Sequence, residues 1–130
     1  MITVSDRVRF VETDMMGVVH HANYFRWFEM GRVEYLRQAG VLLPELMAEG
    51  IMFPIHDVSC QYHAPARFDD LISIETKMAE LSPVKMIFAY QVVREHDGVL
   101  LAVGRTQNVF TNNAGKIIRL PSCYYEKLQA

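Results

Sequence analysis

Residues 12–32 read ETDMMGVVHHANYFRWFEMGR, and the change from loop to helix within them decides the fold. An acid, Asp14, and a flexible residue, Gly17, come first. Two adjacent histidines and Asn23 then lead directly into a dense aromatic run. Gly17 lets the chain fold back on itself, and the aromatic run has helical periodicity. A loop followed by a helix over residues 22–39 is therefore predicted.

The predicted helix has one apolar face and ends at Gly40, a residue type that is common just after a helix. At about 100° per residue, one stripe of its surface collects Tyr24, Phe28, Gly31, Tyr35 and Ala39. The polar residues that fall outside this stripe are Asn23, Arg26, Glu29, Glu34 and Arg37. We therefore expect the stripe to be buried and the polar face to be exposed.

The rest of the chain is predicted to form mainly strands. Residues 3–10 alternate like an edge strand, and four long segments rich in β-branched or aromatic residues follow the helix, at 53–64, 70–81, 84–95 and 99–111. Their short, turn-forming links favour successive antiparallel neighbours in a meander. Short helices are predicted at 42–50 and, capped by Ser122, at 122–129. This order predicts an α+β fold in which a helix covers one face of a sheet, while the other face meets solvent or another subunit.

The composition is that of one globular domain, residues 1–130, because the chain is too short for two ordinary domains. No apolar run approaches the ~20 residues of a membrane span, and a net charge of −2 without a Lys/Arg cluster argues against a nucleic-acid partner. The N-terminal stretch MITVSDRVRF carries acid and base, unlike a secretory signal, so a cytoplasmic location is expected. Cys60 and Cys123 lack CxxC spacing and are expected to be buried free thiols.

Three stretches together resemble a known family. Residues 10–32 resemble the signature of the 4-hydroxybenzoyl-CoA thioesterase-like branch of the hotdog superfamily, with these positions in register: Asp14, Gly17, Val18, Val19, His21, Asn23 and Tyr24. The stretches PARFDDLISIET (65–76) and FTNNAGKIIRLP (110–121) resemble that branch's entry into its third strand and its closing strand and turn. The resemblance implies a hotdog fold, a long central helix wrapped by a curved five-stranded antiparallel sheet, in a homodimer that is often doubled to a homotetramer. It also implies hydrolysis of acyl-CoA thioesters with neither metal nor cofactor, since CoA is part of the substrate.

The functional hypothesis depends above all on Asp14. A thioester carbonyl develops negative charge on its oxygen during attack, and the free N–H groups and dipole of a helix start stabilise such charge. The loop that contains Asp14 can bring its carboxylate to the same carbonyl, as nucleophile or as general base for water. The resemblance assigns the catalytic carboxylate to Asp14 and the polarising N–H to His21. The alternative is that Asp14 only caps a turn.

The residues beside Asp14 also have simpler interpretations. His20 and His21 suggest a metal site, but adjacent imidazoles usually point apart and no third histidine lies at ligand spacing, so no metal is expected. Extrapolating the helix places His21 on the buried stripe, either as a site residue or as a structural histidine. Asn23 is interpreted as the helix N-cap in preference to a substrate contact.

Glu29 has to be considered because another hotdog branch takes its catalytic carboxylate from the central helix. Glu29 lies off the buried stripe and three residues before Arg32. We therefore interpret it as one half of a surface or interface ion pair with that arginine.

The expected substrate contacts follow from the resemblance and from charge. The resemblance points to Gly17, Val18, Asn23 and Tyr24 for binding the substrate. It also places His63, Ala64 and Pro65 opposite the partner subunit's Asp14 loop, across a dimer cleft. The phosphates of CoA require donors, and Arg67, Lys85 and Arg105 are the candidates, although no Gly-rich phosphate loop supports them.

Two other functions are compatible with the same fold, a non-catalytic acyl-CoA-binding module and an acyl-thioester hydratase or dehydratase. A binding module would not need Asp14, and the hydratases have a different pattern with the catalytic histidine placed elsewhere. The stretch TDMMGVVHHANY (13–24) therefore favours hydrolysis. The sequence does not specify the acyl group.

Overall fold

The structure is a computed structural model that describes residues 1–129. Its elements, in chain order, are β1 (Ile2–Arg7), a short 3-10 turn (Phe10–Glu12), α1 (Asn23–Gln38), α2 (Leu43–Ala48), β2 (Ile55–Tyr62), β3 (Leu71–Leu81), β4 (Lys85–Arg94), β5 (Leu100–Val109) and α3 (Ser122–Gln129). The predicted order of one strand, one long helix and four strands is confirmed. Across these residues no helix is both long enough and apolar enough to cross a membrane.

The five strands form one antiparallel sheet in the order β1-β3-β4-β5-β2. The hairpins β3-β4 and β4-β5 confirm the predicted meander for these three strands. The prediction that β2 is the neighbour of β3 is wrong, because the free edge of β3 pairs with β1 and β2 lies at the opposite edge, beside β5. The link at 63–70 crosses one end of the sheet. The architecture is nevertheless the expected α+β hotdog fold, with one long helix against a five-stranded antiparallel sheet.

Two glycines allow α1 to pack closely on the sheet, where it contacts β1, β3 and β4. A Cβ atom added to Gly31 would lie 2.1 Å from Thr76 Oγ1 on β3. A Cβ atom added to Gly104 on β5 would lie 2.2 Å from Cζ of Phe28. Any larger residue would overlap these neighbours, so the glycines set the distance between helix and sheet.

The buried face of α1 is wider than the predicted stripe. Its buried residues are Tyr24, Trp27, Phe28, Gly31, Arg32 and Leu36, whereas Tyr35 and Ala39 are only half-buried. Several strands contact the helix from different sides, which a prediction of one flat interface does not anticipate.

The predicted ion pair between Glu29 and Arg32 is not formed within the chain. Arg32 is buried, and its Nη1 donates to the hydroxyl of Tyr90 at 3.2 Å. That hydroxyl also lies 2.6 Å from Thr106 Oγ1. Glu29 is exposed, and over residues 1–129 no carboxylate lies within ion-pair distance of Arg32. The spacing of residues along the helix therefore predicts the wrong partner for Arg32, because its side chain points into the protein.

The edge strand β2 is exposed on both faces. Every residue of it is exposed except Cys60, which is half-buried. The exposed side chains include apolar ones, since Ile55 is 44% exposed, Val58 is 42% exposed and Tyr62 is 46% exposed. Both cysteines are free thiols, but the expectation that both are buried is wrong, because Cys60 is half-buried and Cys123 is exposed.

Candidate active site

The loop that contains Asp14 is a tight, internally bonded turn. The N–H of Asp14 donates to the carbonyl of Val18 at 2.9 Å, and the N–H of Gly17 donates to the carbonyl of Asp14 at 3.1 Å. Gly17 has φ +80°, a conformation that favours glycine. The side chain of Asp14 takes part as well, because Oδ1 accepts the N–H of Met16 at 2.8 Å. The Asp14 carboxylate therefore caps its own turn, and the residue is exposed.

The same loop is anchored to the link between β2 and β3. The N–H of Val19 donates to the carbonyl of Ala66 at 2.8 Å, and Val18 forms an isolated antiparallel bridge with Arg67. On the other side of this link, the N–H of His63 donates to the carbonyl of Leu101 at the start of β5. Through these bonds the loop, the link and one end of the sheet form a single wall.

The interpretation of Asn23 as the N-cap is wrong. The capping position is Ala22, which has helical backbone angles and no side chain able to cap. Asn23 is the first helical residue, and its Nδ2 donates back to the carbonyls of Glu12 at 3.0 Å and His20 at 3.2 Å. An imidazole takes over part of the capping role, since Nδ1 of His20 accepts the N–H of Ala22 at 3.3 Å.

His21 lies in the turn before α1 and is exposed, so its predicted place on the buried stripe is wrong. The expectation that the two imidazoles point apart is wrong as well, because the rings of His20 and His21 stack at 4.3 Å between centroids. The N–H groups of residues 22–25 all have acceptors within this turn. The N–H of His21 has none among the atoms of residues 1–129, so it is a free donor at the start of the helix.

A cavity of about 340 Å³ brings most of the predicted site residues together. It is lined by Asp14, Val19, His20, His21, Tyr24, Tyr62, His63, Ala64 and Pro65. His63, Ala64 and Pro65 were expected to meet the partner subunit's Asp14 loop, but a single chain already places them beside Asp14. The cavity therefore joins the loop, the helix start and the link within one chain.

The other predicted residues lie around the cavity or far from it. Gly17 and Val18 belong to the loop that forms its wall, Arg67 is bridged to that loop, and Asn23 holds the loop to α1. Lys85 does not reach the cavity, because it begins β4 and pairs with Glu80 at 3.6 Å across the β3-β4 turn.

The distance explains why Lys85 does not reach the cavity. The opposite end of β4 is the one near the cavity, where Nη1 of Arg94 donates to the carbonyl of Pro65 at 3.4 Å. Ten strand residues separate these two ends by roughly 30 Å at ~3.3 Å per residue.

Tyr62 is a cavity residue that the sequence did not reveal. Its hydroxyl donates to the carbonyl of His21 at 3.1 Å, and its ring packs edge-on against Tyr24 with 5.0 Å between centroids. Partial desolvation, and then the adjacent thiol of Cys60, raise the pKa of Tyr62 to about 12, so the hydroxyl keeps its proton and remains a donor. Nothing in the local sequence marks Tyr62, because its proximity to His21 depends on the pairing of β2 at the far edge of the sheet.

The arrangement has the groups that acyl transfer requires. One cavity is lined by Asp14, which carries a carboxylate, and by His21, whose backbone N–H is free at the helix start. Within the described part of the chain, no group of three or more His, Cys, Asp or Glu side chains is placed to hold a metal ion.

Comparisons with known proteins identify the family of this chain. Residues 8–128 match the thioesterase-like superfamily. The acyl-CoA thioester hydrolase YbgC of Escherichia coli is 34% identical over 94 residues, 72% of this chain and 70% of that protein. A hypothetical protein from Thermus thermophilus superposes with a TM-score of 0.92 at 38% identity, over 98% of this chain and 96% of that one.

A further solved structure contains a bound thioester. It is an Asp-to-Asn variant of 4-hydroxybenzoyl-CoA thioesterase in complex with 4-hydroxybenzoyl-CoA, with a TM-score of 0.88 and 26% identity over 98% of this chain and 97% of that one. The match over residues 8–128 leaves only short ends of the chain outside the family. The chain therefore belongs to the thioesterase-like superfamily, in the 4-hydroxybenzoyl-CoA thioesterase-like branch that its opening motif resembles.

Proposed function

We propose that this protein hydrolyses an acyl-CoA thioester to a free acid and CoA, with Asp14 as the catalytic carboxylate and the His21 N–H as the oxyanion donor. Its activity is that of an acyl-CoA thioesterase. The observation that carries the mechanism is the cavity that Asp14 and His21 line together at the start of α1. A reacting carbonyl in this cavity has a carboxylate and a free N–H donor beside it.

The oxyanion role of His21 is supported by its hydrogen bonding. Its N–H is free, while the following four N–H groups are already paired. The 16 residues of α1 follow directly, and the positive end of the helix dipole adds to the attraction for a developing negative charge. A donor that is fixed before the reaction costs no reorganisation when the charge forms.

The role of Asp14 is supported by its exposure and by the state of its two oxygens. Oδ1 is held by the N–H of Met16, whereas Oδ2 accepts no hydrogen bond from residues 1–129. As nucleophile, Asp14 forms a bond to the carbonyl carbon, the C–S bond breaks with release of CoA thiolate, and water opens the mixed anhydride. As general base, it takes a proton from a water molecule whose oxygen forms that bond instead.

The substrate contacts follow from the lining of the cavity. Tyr24, His63, Ala64 and Pro65 provide apolar and aromatic surface for the groups on either side of the thioester. Gly17 and Val18 shape the loop, and Arg67 is the cation beside it that is proposed to meet a phosphate of CoA. The related solved enzyme is in complex with 4-hydroxybenzoyl-CoA.

A homodimer, or a tetramer built from it, is part of the proposal. The edge strand β2 is open along its length and exposes Ile55, Val58 and Tyr62. An exposed apolar edge of this kind pairs readily with another strand, and a second copy would continue the sheet. Sedimentation at micromolar concentration should show at least a dimer, and a monomer would contradict this part of the proposal.

Thiol release from acetyl-, hexanoyl-, benzoyl- and hydroxynaphthoyl-CoA tests the activity. We expect turnover of at least one member and a preference that identifies the acyl class. Binding of acyl-CoA without hydrolysis of any member would favour a non-catalytic binding module.

A further inference from the structure

Glu12 is a fully buried carboxylate in the 3-10 turn that leads into the Asp14 loop. Both of its oxygens have partners. Oε1 accepts the backbone N–H of Arg9 at 2.7 Å, and Oε2 accepts the indole N–H of Trp27 on α1 at 3.3 Å. The guanidinium of Arg26 lies 3.5 Å from Oε2 and supplies a positive charge at the surface side.

The backbone carbonyl of Glu12 makes further connections to the site. It accepts the N–H of His20 at 2.8 Å and the Nδ2 of Asn23 at 3.0 Å. One residue thus joins three parts of the site, namely the turn before Asp14, the turn that contains His20 and His21, and the first two turns of α1. Glu12 does not line the cavity itself, so it does not touch the substrate.

A charged side chain is uncommon at a buried position whose role is purely structural. Desolvating a carboxylate is costly, and an apolar residue of similar volume would fill the space at lower cost. A carboxylate, however, accepts hydrogen bonds in two fixed directions, so it can hold the loop and the helix in one relative position.

We infer that Glu12 is a positioning residue that sets the placement of the Asp14 carboxylate relative to the His21 N–H. This inference rests on the proposed function, because it concerns the two groups assigned there to the thioester. It makes Glu12 act through Asp14 rather than on the substrate.

Glu12→Gln is the first test, because the amide has nearly the same shape but only one acceptor oxygen. This one oxygen can accept the N–H of Arg9 or that of the Trp27 indole, so the other donor is left without an acceptor. We expect kcat to fall about 10²-fold, since a displacement of ~1 Å in a reacting group costs about that much. KM should change little. Glu126→Gln, an exposed substitution on α3, is the matched control and should keep wild-type kinetics.

The single tryptophan of the chain gives a readout that does not depend on activity. Trp27 contributes the only indole N–H signal in a ¹⁵N-correlated NMR spectrum. Glu12→Gln should shift this signal and speed its exchange with solvent, while the control leaves it in place. An unchanged indole signal would overturn the role assigned to the Glu12 carboxylate.

A double-mutant cycle separates positioning from stability. In an Asp14→Asn background, Glu12→Gln should cause little further loss of kcat, because the group that it positions is already disabled. Full additivity, or a lower melting temperature with unchanged kcat of the folded enzyme, would overturn the inference. If Glu12→Gln does not fold, Asn23→Ala removes the bond from Nδ2 of this half-buried residue to the Glu12 backbone carbonyl. It should give a smaller fall in kcat, and normal kcat there would overturn the inference.

The outcomes distinguish this inference from the proposed function. If Asp14→Asn is inactive and Glu12→Gln has a normal kcat, Glu12 has no positioning role, but the proposed mechanism is still supported. If Asp14→Asn has a normal kcat, both the proposed mechanism and the positioning role of Glu12 are wrong.

Discussion

The phenol of Tyr62, at the end of β2, donates a hydrogen bond of 3.1 Å to the backbone carbonyl of His21, in the turn before α1. The same carbonyl accepts the N–H of Tyr24 at 3.2 Å. The far edge of the sheet and the helix start are therefore tied together at the cavity that both line. This bond holds the peptide next to the proposed oxyanion donor.

Tyr62→Phe should lower kcat while leaving the fold intact. The ring stays in contact with Tyr24, and only the hydrogen bond to the His21 carbonyl is lost. Such a bond is worth about 0.5–1.5 kcal/mol, so we expect a fall of roughly 2- to 10-fold. Tyr125→Phe on α3 is the control and should have no effect. Equal rates for wild type and Tyr62→Phe would show that the bond does not support the site.

The raised pKa of Tyr62 predicts a loss of stability in alkaline solution. Its pKa of about 12 in the folded chain lies above the value of ~10 for an unfolded chain. The stabilisation is thus complete below about pH 10 and is lost as the pH rises towards 12. Between about pH 9 and about pH 11, the denaturant concentration at the unfolding midpoint should fall further for the wild type than for Tyr62→Phe. Tyr124 is shifted in the same direction but is present in both proteins, so a parallel loss in both would contradict the prediction.

Gly31→Ala should destabilise the protein through contact with β3. The added Cβ would lie 2.1 Å from Thr76 Oγ1, and overpacking of this kind costs about 1–3 kcal/mol. Thr76 Oγ1 has no hydrogen-bond partner among residues 1–129, so removing it costs little in polar contacts. The double variant Gly31→Ala/Thr76→Ala should therefore recover stability over Gly31→Ala in urea denaturation. A double variant less stable than Gly31→Ala would show that the clash is not with Thr76.

Hydrolysis should survive exhaustive chelation. Over residues 1–129, no three or more His, Cys, Asp or Glu side chains are grouped so as to hold a metal ion, and His20 Nδ1 already accepts the N–H of Ala22. The measurement is thiol release before and after treatment with EDTA. Loss of activity with EDTA and its return with zinc would contradict the prediction.

The local features of the fold were predictable, and the long-range ones were not. Gly17, Gly40 and the periodicity of α1 are readable over a few residues, which is why the element order was correct. The place of β2 depends on β1 taking the free edge of β3, a choice that no short segment contains. The same limit applies to the site, because Asp14 and His21 lie in one motif, whereas Tyr62 reaches them only through the pairing of β2 with β5.

Burial explains the remaining differences. Arg32 follows Glu29 at ion-pair spacing, yet its side chain turns inward to Tyr90 because the sheet reaches that side of the helix. No feature of the sequence distinguishes Glu12 from an exposed loop acid, and only the packing of Trp27 shows that it is enclosed. Hydrophobic periodicity does not reveal a buried charge, since such charges depend on individual partners.

Asp14→Asn should nearly abolish hydrolysis while leaving the fold intact. The amide oxygen can still accept the N–H of Met16, so the turn survives, but the charge needed to attack the thioester or to take a proton from water is gone. General-base assistance is typically worth ~10²–10⁴-fold, so kcat should fall at least by the lower figure, with KM much less affected. Glu29→Gln is the matched control, because Glu29 is an exposed helix carboxylate that does not line the cavity, and it should keep wild-type kcat. The measurement is thiol release with the best acyl-CoA of the panel. A loss confined to Glu29→Gln would move the catalytic carboxylate to the helix and overturn the assignment to Asp14.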